Sequence, residues 1–94
     1  MRTVHALSIA GTDPSGGAGI QGDLKTFSAL GVYGTAVVTA VVAQSTQGVA
    51  SIHPVPGGVV TAQLESLLDD VRVDAVKIGM LGTTEVVAAV AAVL

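Results

Sequence analysis

Gly17, Gly19 and Gly22 stand at the spacing G-x-G-x-x-G, inside the run Gly11-Thr12-Asp13-Pro14-Ser15-Gly16-Gly17-Ala18-Gly19-Ile20-Gln21-Gly22. After a strand and at a helix start, glycines so spaced bring backbone N–H groups against a dinucleotide pyrophosphate. Two features speak against that chemistry. The fingerprint's first glycine follows its strand almost directly, whereas Gly17 lies well past Ala10, where the preceding apolar run ends. The acid expected at the end of the second strand is replaced by Gln44-Ser45. A Walker loop fails too, because Asp23-Leu24 stands where Lys-Ser/Thr is required and Lys25-Thr26 comes too late. What remains is a Gly-rich loop running into a helix N-terminus, whose N–H groups can hold a polar or anionic group. The plainer reading is a tight connection with no ligand.

Three more residues carry chemistry. Gln44 follows a long apolar run. A carboxamide there pairs a donor with an acceptor, which suits the edge of a heteroaromatic ring. Its plain alternative is a loop glutamine satisfied by backbone. Asp23 either complements the helix dipole as an exposed first-turn acid or turns its carboxylate to a ligand mouth. Met80 either packs on a flat ring or fills ordinary core. His5 and His53 lack metal-ligand spacing and read as structural. No Ser/His/Asp set and no paired catalytic carboxylates can be argued.

Periodicity supplies the framework for these groups. Val4 to Ala10 is short and apolar and reads as a buried strand. Ile20, Leu24, Phe27 and Leu30 mark one face of a helix that stops at Gly31. Thr35 to Ala43 reads as a fully buried strand. Gln44 to Gly58 is a polar connection with room for a short strand at Val49 to Val55. Val60, Leu64, Leu67 and Val71 mark a second helix, with Gln63, Glu65, Asp69 and Asp70 off its apolar stripe. Ala75 to Leu81 reads as a third buried strand. Thr83 or Thr84 can cap a third helix, and Glu85 suits its first turn. This alternation implies an α/β fold with an open, mostly parallel sheet and helices on both faces. Ligands bind such sheets at the carboxyl ends of the strands. Here those ends are Gly11 to Gly19, Gln44 to Gln47 and Gly79 to Gly82, where the glycine and polar residues gather.

Composition narrows the function classes. The chain has 94 residues, half of them hydrophobic, no cysteine and a net charge of −3. That length allows one domain. An acidic chain lacks the footprint of a nucleic-acid binder. Without cysteine, disulfide scaffolds and thiol catalysis are excluded. The longest apolar run, Val86 to Leu94, is far short of the ~20 residues of a membrane span. His5 and Ser8 interrupt the apolar character of Met1 to Ala10, a poor signal-peptide core. A cytoplasmic protein is therefore expected. A helix as apolar as Val86 to Leu94 should be buried. Nothing in these residues remains to cover it, so the sequence is expected to be part of a larger domain.

Taken together, Leu7 to Thr26, Thr39 to Val49 and Val76 to Gly82 resemble the three signatures of hydroxymethylpyrimidine/phosphomethylpyrimidine kinases of thiamine biosynthesis. The resemblance implies a ribokinase-like fold. It implies Mg-ATP-dependent phosphorylation of 4-amino-5-hydroxymethyl-2-methylpyrimidine, then of its monophosphate. Gln44 would hydrogen-bond the pyrimidine, Met80 and Val42 would pack on its ring, and Gly11, Ala18 and Asp23 would line the pocket. By the same resemblance, residues 1–94 are the N-terminal part of one kinase domain. The ATP site, the Mg2+ site and the catalytic base would lie beyond residue 94, leaving these residues inactive alone. Relatives are commonly homodimers. Pro56-Gly57-Gly58 departs from the Pro-Glu that often starts the relatives' second helix. Pyridoxal or pyridoxine kinase of the same fold, and a non-catalytic small-molecule-binding fragment, are the competing readings.

Overall fold

The computed structural model describes residues 3–94. Met1 and Arg2, which head the stretch weighed above as a signal-peptide core, lie outside the described residues. The chain forms β1 (His5–Gly11), α1 (Gly19–Ala29), β2 (Tyr33–Ser45), β3 (Gly48–Pro54), α2 (Gly57–Asp70), β4 (Ala75–Ile78) and α3 (Thr84–Val93). The strands make one sheet in the order β3-β2-β1-β4. β1 runs parallel to both neighbours, pairing Ser8 with Ala36 on one side and with Lys77 on the other.

Side-chain alternation along β1 divides the two faces of the sheet. Leu7 and Ile9 are fully buried and pack with Val37, Val60, Leu64, Val86 and Val90. The helices α2 and α3 therefore cover that face. Ser8, between them, donates to Asp23 of α1, so α1 covers the other face. Helices on both faces follow from this alternation.

Local signals explain the helix ends. Leu30 is the C-cap of α1, and Gly31 follows it with φ 73°. The Gly31 amide donates to Ser28 O and the Val32 amide to Phe27 O, which is a Schellman closure. A side chain at Gly31 would be strained in that left-handed conformation. Thr83 caps α3, accepting from the Val86 amide at 3.1 Å. The helix α2 begins after Pro56 with no side-chain cap of its own. Glu85, in the first turn of α3, supplies one by accepting from the Gly57 amide at 2.8 Å.

Four expectations need correction. The short strand expected at Val49 to Val55 forms as β3, but the polar connection before it is shorter than expected. β2 runs on to Ser45, and β3 folds back against it antiparallel, pairing Val42 with Ile52 and Gln44 with Val49. The sheet is thus mixed. The strand expected to be fully buried over Thr35 to Ala43 alternates near its end, with Val42 buried and Val41 exposed. β4 is shorter than Ala75 to Leu81 and exposed along its length, because it is the outermost strand. Val76 is 41% and Ile78 51% exposed. Lastly, α3 buries only one stripe, Val86 and Val90, and leaves Val87 half exposed.

Candidate functional site

The carboxyl ends of β1, β2 and β4 open onto a cleft of about 190 Å³. Ala10, Gly11, Thr12 and Gly19 come from β1 and the loop after it. Val42 and Gln44 come from β2, Val49 and Ile52 from β3, and Lys77, Gly79 and Met80 from β4 and its continuation. Drug-sized ligands occupy pockets of roughly 300–1,000 Å³. The smaller volume here suits one substituted ring better than a dinucleotide.

Each wall has a local cause. Gly11 is the floor. A Cβ there would stand 3.1 Å from Met80 Cε and 3.2 Å from Val42 Cγ2. Two apolar side chains thus close over a backbone position kept bare. Thr12 fixes the loop to β2, its amide donating to Ala40 O and its hydroxyl accepting from the Val42 amide at 2.9 Å. Thr39, fully buried, donates to Met80 O at 2.7 Å and ties the segment after β4 to β2. Gln44 projects into the cleft, and its carboxamide has no hydrogen-bond partner among the described residues. It is a donor–acceptor pair beside apolar walls.

The Gly-rich loop is organised from within. Asp13 is only 2% exposed. Its carboxylate accepts from the Ser15 hydroxyl at 2.7 Å, the Ser15 amide at 2.9 Å, the Gly17 amide at 3.1 Å and the Ala18 amide at 2.8 Å. The Ser15 hydroxyl, helped by these amides, holds its pKa below the ordinary value against the opposing effect of burial. The expectation that loop amides await an anionic ligand is therefore corrected at Gly17 and Ala18. The chain supplies that anion itself. Gly19 begins α1 with φ 54°, and a Cβ on it would run into the Gly11 carbonyl oxygen. This crossing keeps the loop tight over the end of β1.

Asp23 is neither exposed nor in the first turn of α1. Its carboxylate accepts from Ser8 Oγ at 2.6 Å and from Lys77 Nζ at 3.1 and 3.0 Å. Burial pushes its pKa up, but the Ser8 hydroxyl and the Lys77 ammonium outweigh it, and the net shift is downward. Asp23 therefore stays ionised and joins β1, α1 and β4.

Of the six residues proposed from sequence, Gly11, Val42, Gln44 and Met80 converge on the cleft. Ala18 sits exposed at the start of α1, and Asp23 lies behind Lys77; neither is among the cleft's lining residues. Sequence reasoning missed Lys77, Thr12, Val49 and Ile52. A signal for Lys77 existed, since a lysine between Val76 and Ile78 in an apolar strand needs a partner. Val49 and Ile52 were hidden by the hairpin. Among the described residues, no group of three or more His, Cys, Asp or Glu side chains could hold a metal ion.

The family pattern described as phosphomethylpyrimidine kinase matches residues 13–94. The hydroxymethylpyrimidine/phosphomethylpyrimidine kinase of Escherichia coli K12 is 62% identical over 91 residues, which is 97% of this chain and 34% of that protein. The chain thus spans about a third of this curated relative's length. The crystal structure of phosphomethylpyrimidine kinase from Clostridium difficile 630 superposes with a TM-score of 0.89 at 45% identity, covering 94% of this chain and 38% of that one. Pyridoxal kinase from Staphylococcus aureus, in complex with AMP-PCP and pyridoxal, superposes at 0.84 with 41% identity, covering 98% and 35%.

Proposed function

The chain belongs to the phosphomethylpyrimidine kinase family, and from that premise we propose that it forms the pyrimidine-binding part of an ATP-dependent kinase. The full-length protein phosphorylates the hydroxymethyl group of 4-amino-5-hydroxymethyl-2-methylpyrimidine and then the resulting monophosphate, in thiamine biosynthesis. Residues 1–94 are the N-terminal part of its single ribokinase-like domain. The observation that carries this reading is the unpaired Gln44 carboxamide beside an apolar floor of Gly11, Val42 and Met80.

An aminopyrimidine presents a donor and an acceptor on adjacent atoms. One carboxamide can satisfy both at once. The ring then lies against Val42 and Met80, whose apolar and polarisable surfaces favour a flat heteroaromatic. Binding of this kind fixes the ring and so directs its hydroxymethyl oxygen. Positioning is most of what phosphoryl transfer asks of a protein. Asp23 acts from behind, by holding Lys77 at the cleft wall. Ala18 acts through the loop that carries Gly11 and Gly19. Mg2+ would neutralise charge on the transferring phosphates, and no group of described residues offers it a site. Among the described residues, no helix is long and apolar enough to cross a membrane. A cytoplasmic homodimer acting on a small molecule, with no nucleic-acid or membrane partner, completes the proposal.

The pyridoxal-bound relative gives the rival reading a specific basis. Purified full-length protein, offered ATP with either the pyrimidine alcohol or pyridoxal, separates the two. Phosphate transfer to the pyrimidine at the higher kcat/KM is expected. A preference for pyridoxal would overturn the proposal in favour of its rival.

A further inference from the structure

Lys77 is the one cation among the residues that line the cleft. It sits on β4, whereas Gln44 sits on β2, and β1 lies between them. Lys77 starts further down the sheet, level with Ala36, but its ammonium reaches up to 3.5 Å from where a Cβ on Gly79 would stand, so both residues border the same cleft. A substituted six-membered ring held in that cleft has Gln44 and Lys77 among the residues around it. Its amino edge would meet Gln44, and its substituent would approach Lys77.

The ammonium group is already oriented. Asp23 takes it at 3.0 and 3.1 Å, and Ser8 holds the far side of that carboxylate at 2.6 Å. An ammonium has three N–H donors. Asp23 has two oxygens, so one N–H remains to point elsewhere. The Lys77 side chain is still half exposed, and the residue lines the cleft. The remaining donor has no partner among the described residues.

We propose that Lys77, aimed by Asp23 and Ser8, is the residue that recognises the phosphate of the monophosphate substrate. This inference rests on the pyrimidine reading above and adds to it a discriminator between the two substrates. The alcohol offers Lys77 only a neutral hydroxyl. The monophosphate offers charged oxygens, to which an ammonium hydrogen bond is shorter and stronger. The second phosphorylation would thus draw on Lys77 more than the first.

The test is calorimetric titration of the full-length protein and its Lys77→Met and Lys77→Arg variants with the pyrimidine alcohol and with its monophosphate. Methionine keeps the apolar stem and removes the charge. Lys77→Met should lose about tenfold or more in monophosphate affinity and much less in alcohol affinity. Lys77→Arg should retain most of both. A second measurement needs no variant to fold. In lysine-ammonium NMR of the unaltered protein, the monophosphate should shift the Asp23-bound lysine resonance, and the alcohol should shift it less. Equal losses for both ligands, or an ammonium resonance unmoved by the monophosphate, would overturn the assignment of Lys77 alone. Binding of neither ligand by the unaltered protein would overturn the pyrimidine reading and this inference with it.

Discussion

Replacing Gly11 with alanine should damage ligand binding while sparing the fold. The backbone of Gly11 is not in the left-handed region, so alanine meets no conformational penalty there. Removing a glycine where the conformation permits it stabilises a protein by ~0.4–1 kcal/mol through the unfolded state. Against that gain stand two close approaches, 3.1 Å to Met80 Cε and 3.2 Å to Val42 Cγ2. The Met80 terminal methyl can swing aside, because the side chain is unbranched and 42% exposed. Val42 is buried and β-branched and has little freedom to move. The two effects on stability nearly cancel, and the melting temperature should move by a few degrees at most. Met80 relaxes, however, into the space a ring would occupy. Overpacking a well-filled site costs ~1–3 kcal/mol, which is roughly five- to 150-fold in affinity. Calorimetric titration of full-length Gly11→Ala with the pyrimidine, beside a thermal melt, reads both quantities. Unchanged affinity would refute the reasoning, since the floor would then not touch the ligand. A collapsed melt would refute it differently, by showing that Met80 cannot yield.

Three further outcomes follow from the same geometry. Glu85→Ala removes the carboxylate that accepts from the Gly57 amide and should cost ~0.5–2 kcal/mol, as lost helix caps do; chemical denaturation measures it, and an unchanged midpoint would contradict the cross-helix cap. Asp13→Ala strands the Gly17 and Ala18 amides, so hydrogen exchange should quicken at those two positions before it does in β1; uniform protection would mean that the loop holds itself. Asp13 and Asp23 both have pKa values lowered from 3.8. The stability they contribute is fully present above that value and disappears as the pH falls through their lowered folded-state values. Acid unfolding should therefore begin below about pH 4, and Asp23→Asn should flatten that dependence.

The parts of this fold readable from sequence were those set by local rules. Ile20, Leu24 and Phe27 at helical spacing, Gly31 as a stop and Thr83 as a cap each act within a few residues. The cleft was readable too, because glycine and polar residues stop apolar strands at their carboxyl ends. Features set by distant partners were not readable. Alternation marks a strand at Val49 to Val55, but not that β2 runs on to Ser45 and pairs with it antiparallel. Gln63 lies off the apolar stripe of α2, but its carboxamide pairs with both the N–H and the C=O of Val38, as a neighbouring strand would. Lys77 and Asp23 are 54 residues apart in sequence and meet only when β1 brings α1 and β4 together. Ala18 and Asp23, which the resemblance put in the pocket, are not among the cleft's lining residues, and Asp23 instead holds Lys77, a contact no local pattern reveals.

Gln44→Ala in the full-length protein most directly tests whether this cleft binds the pyrimidine. In the proposed complex the carboxamide would donate to one ring atom and accept from its neighbour, and each buried group left unpaired costs ~1–3 kcal/mol. Calorimetric titration of the variant with the pyrimidine and, separately, with ATP gives both affinities. The pyrimidine affinity should fall by about tenfold or more, while ATP binding changes little. An unchanged pyrimidine affinity would contradict the proposal and return Gln44 to the role of a solvated strand-end residue.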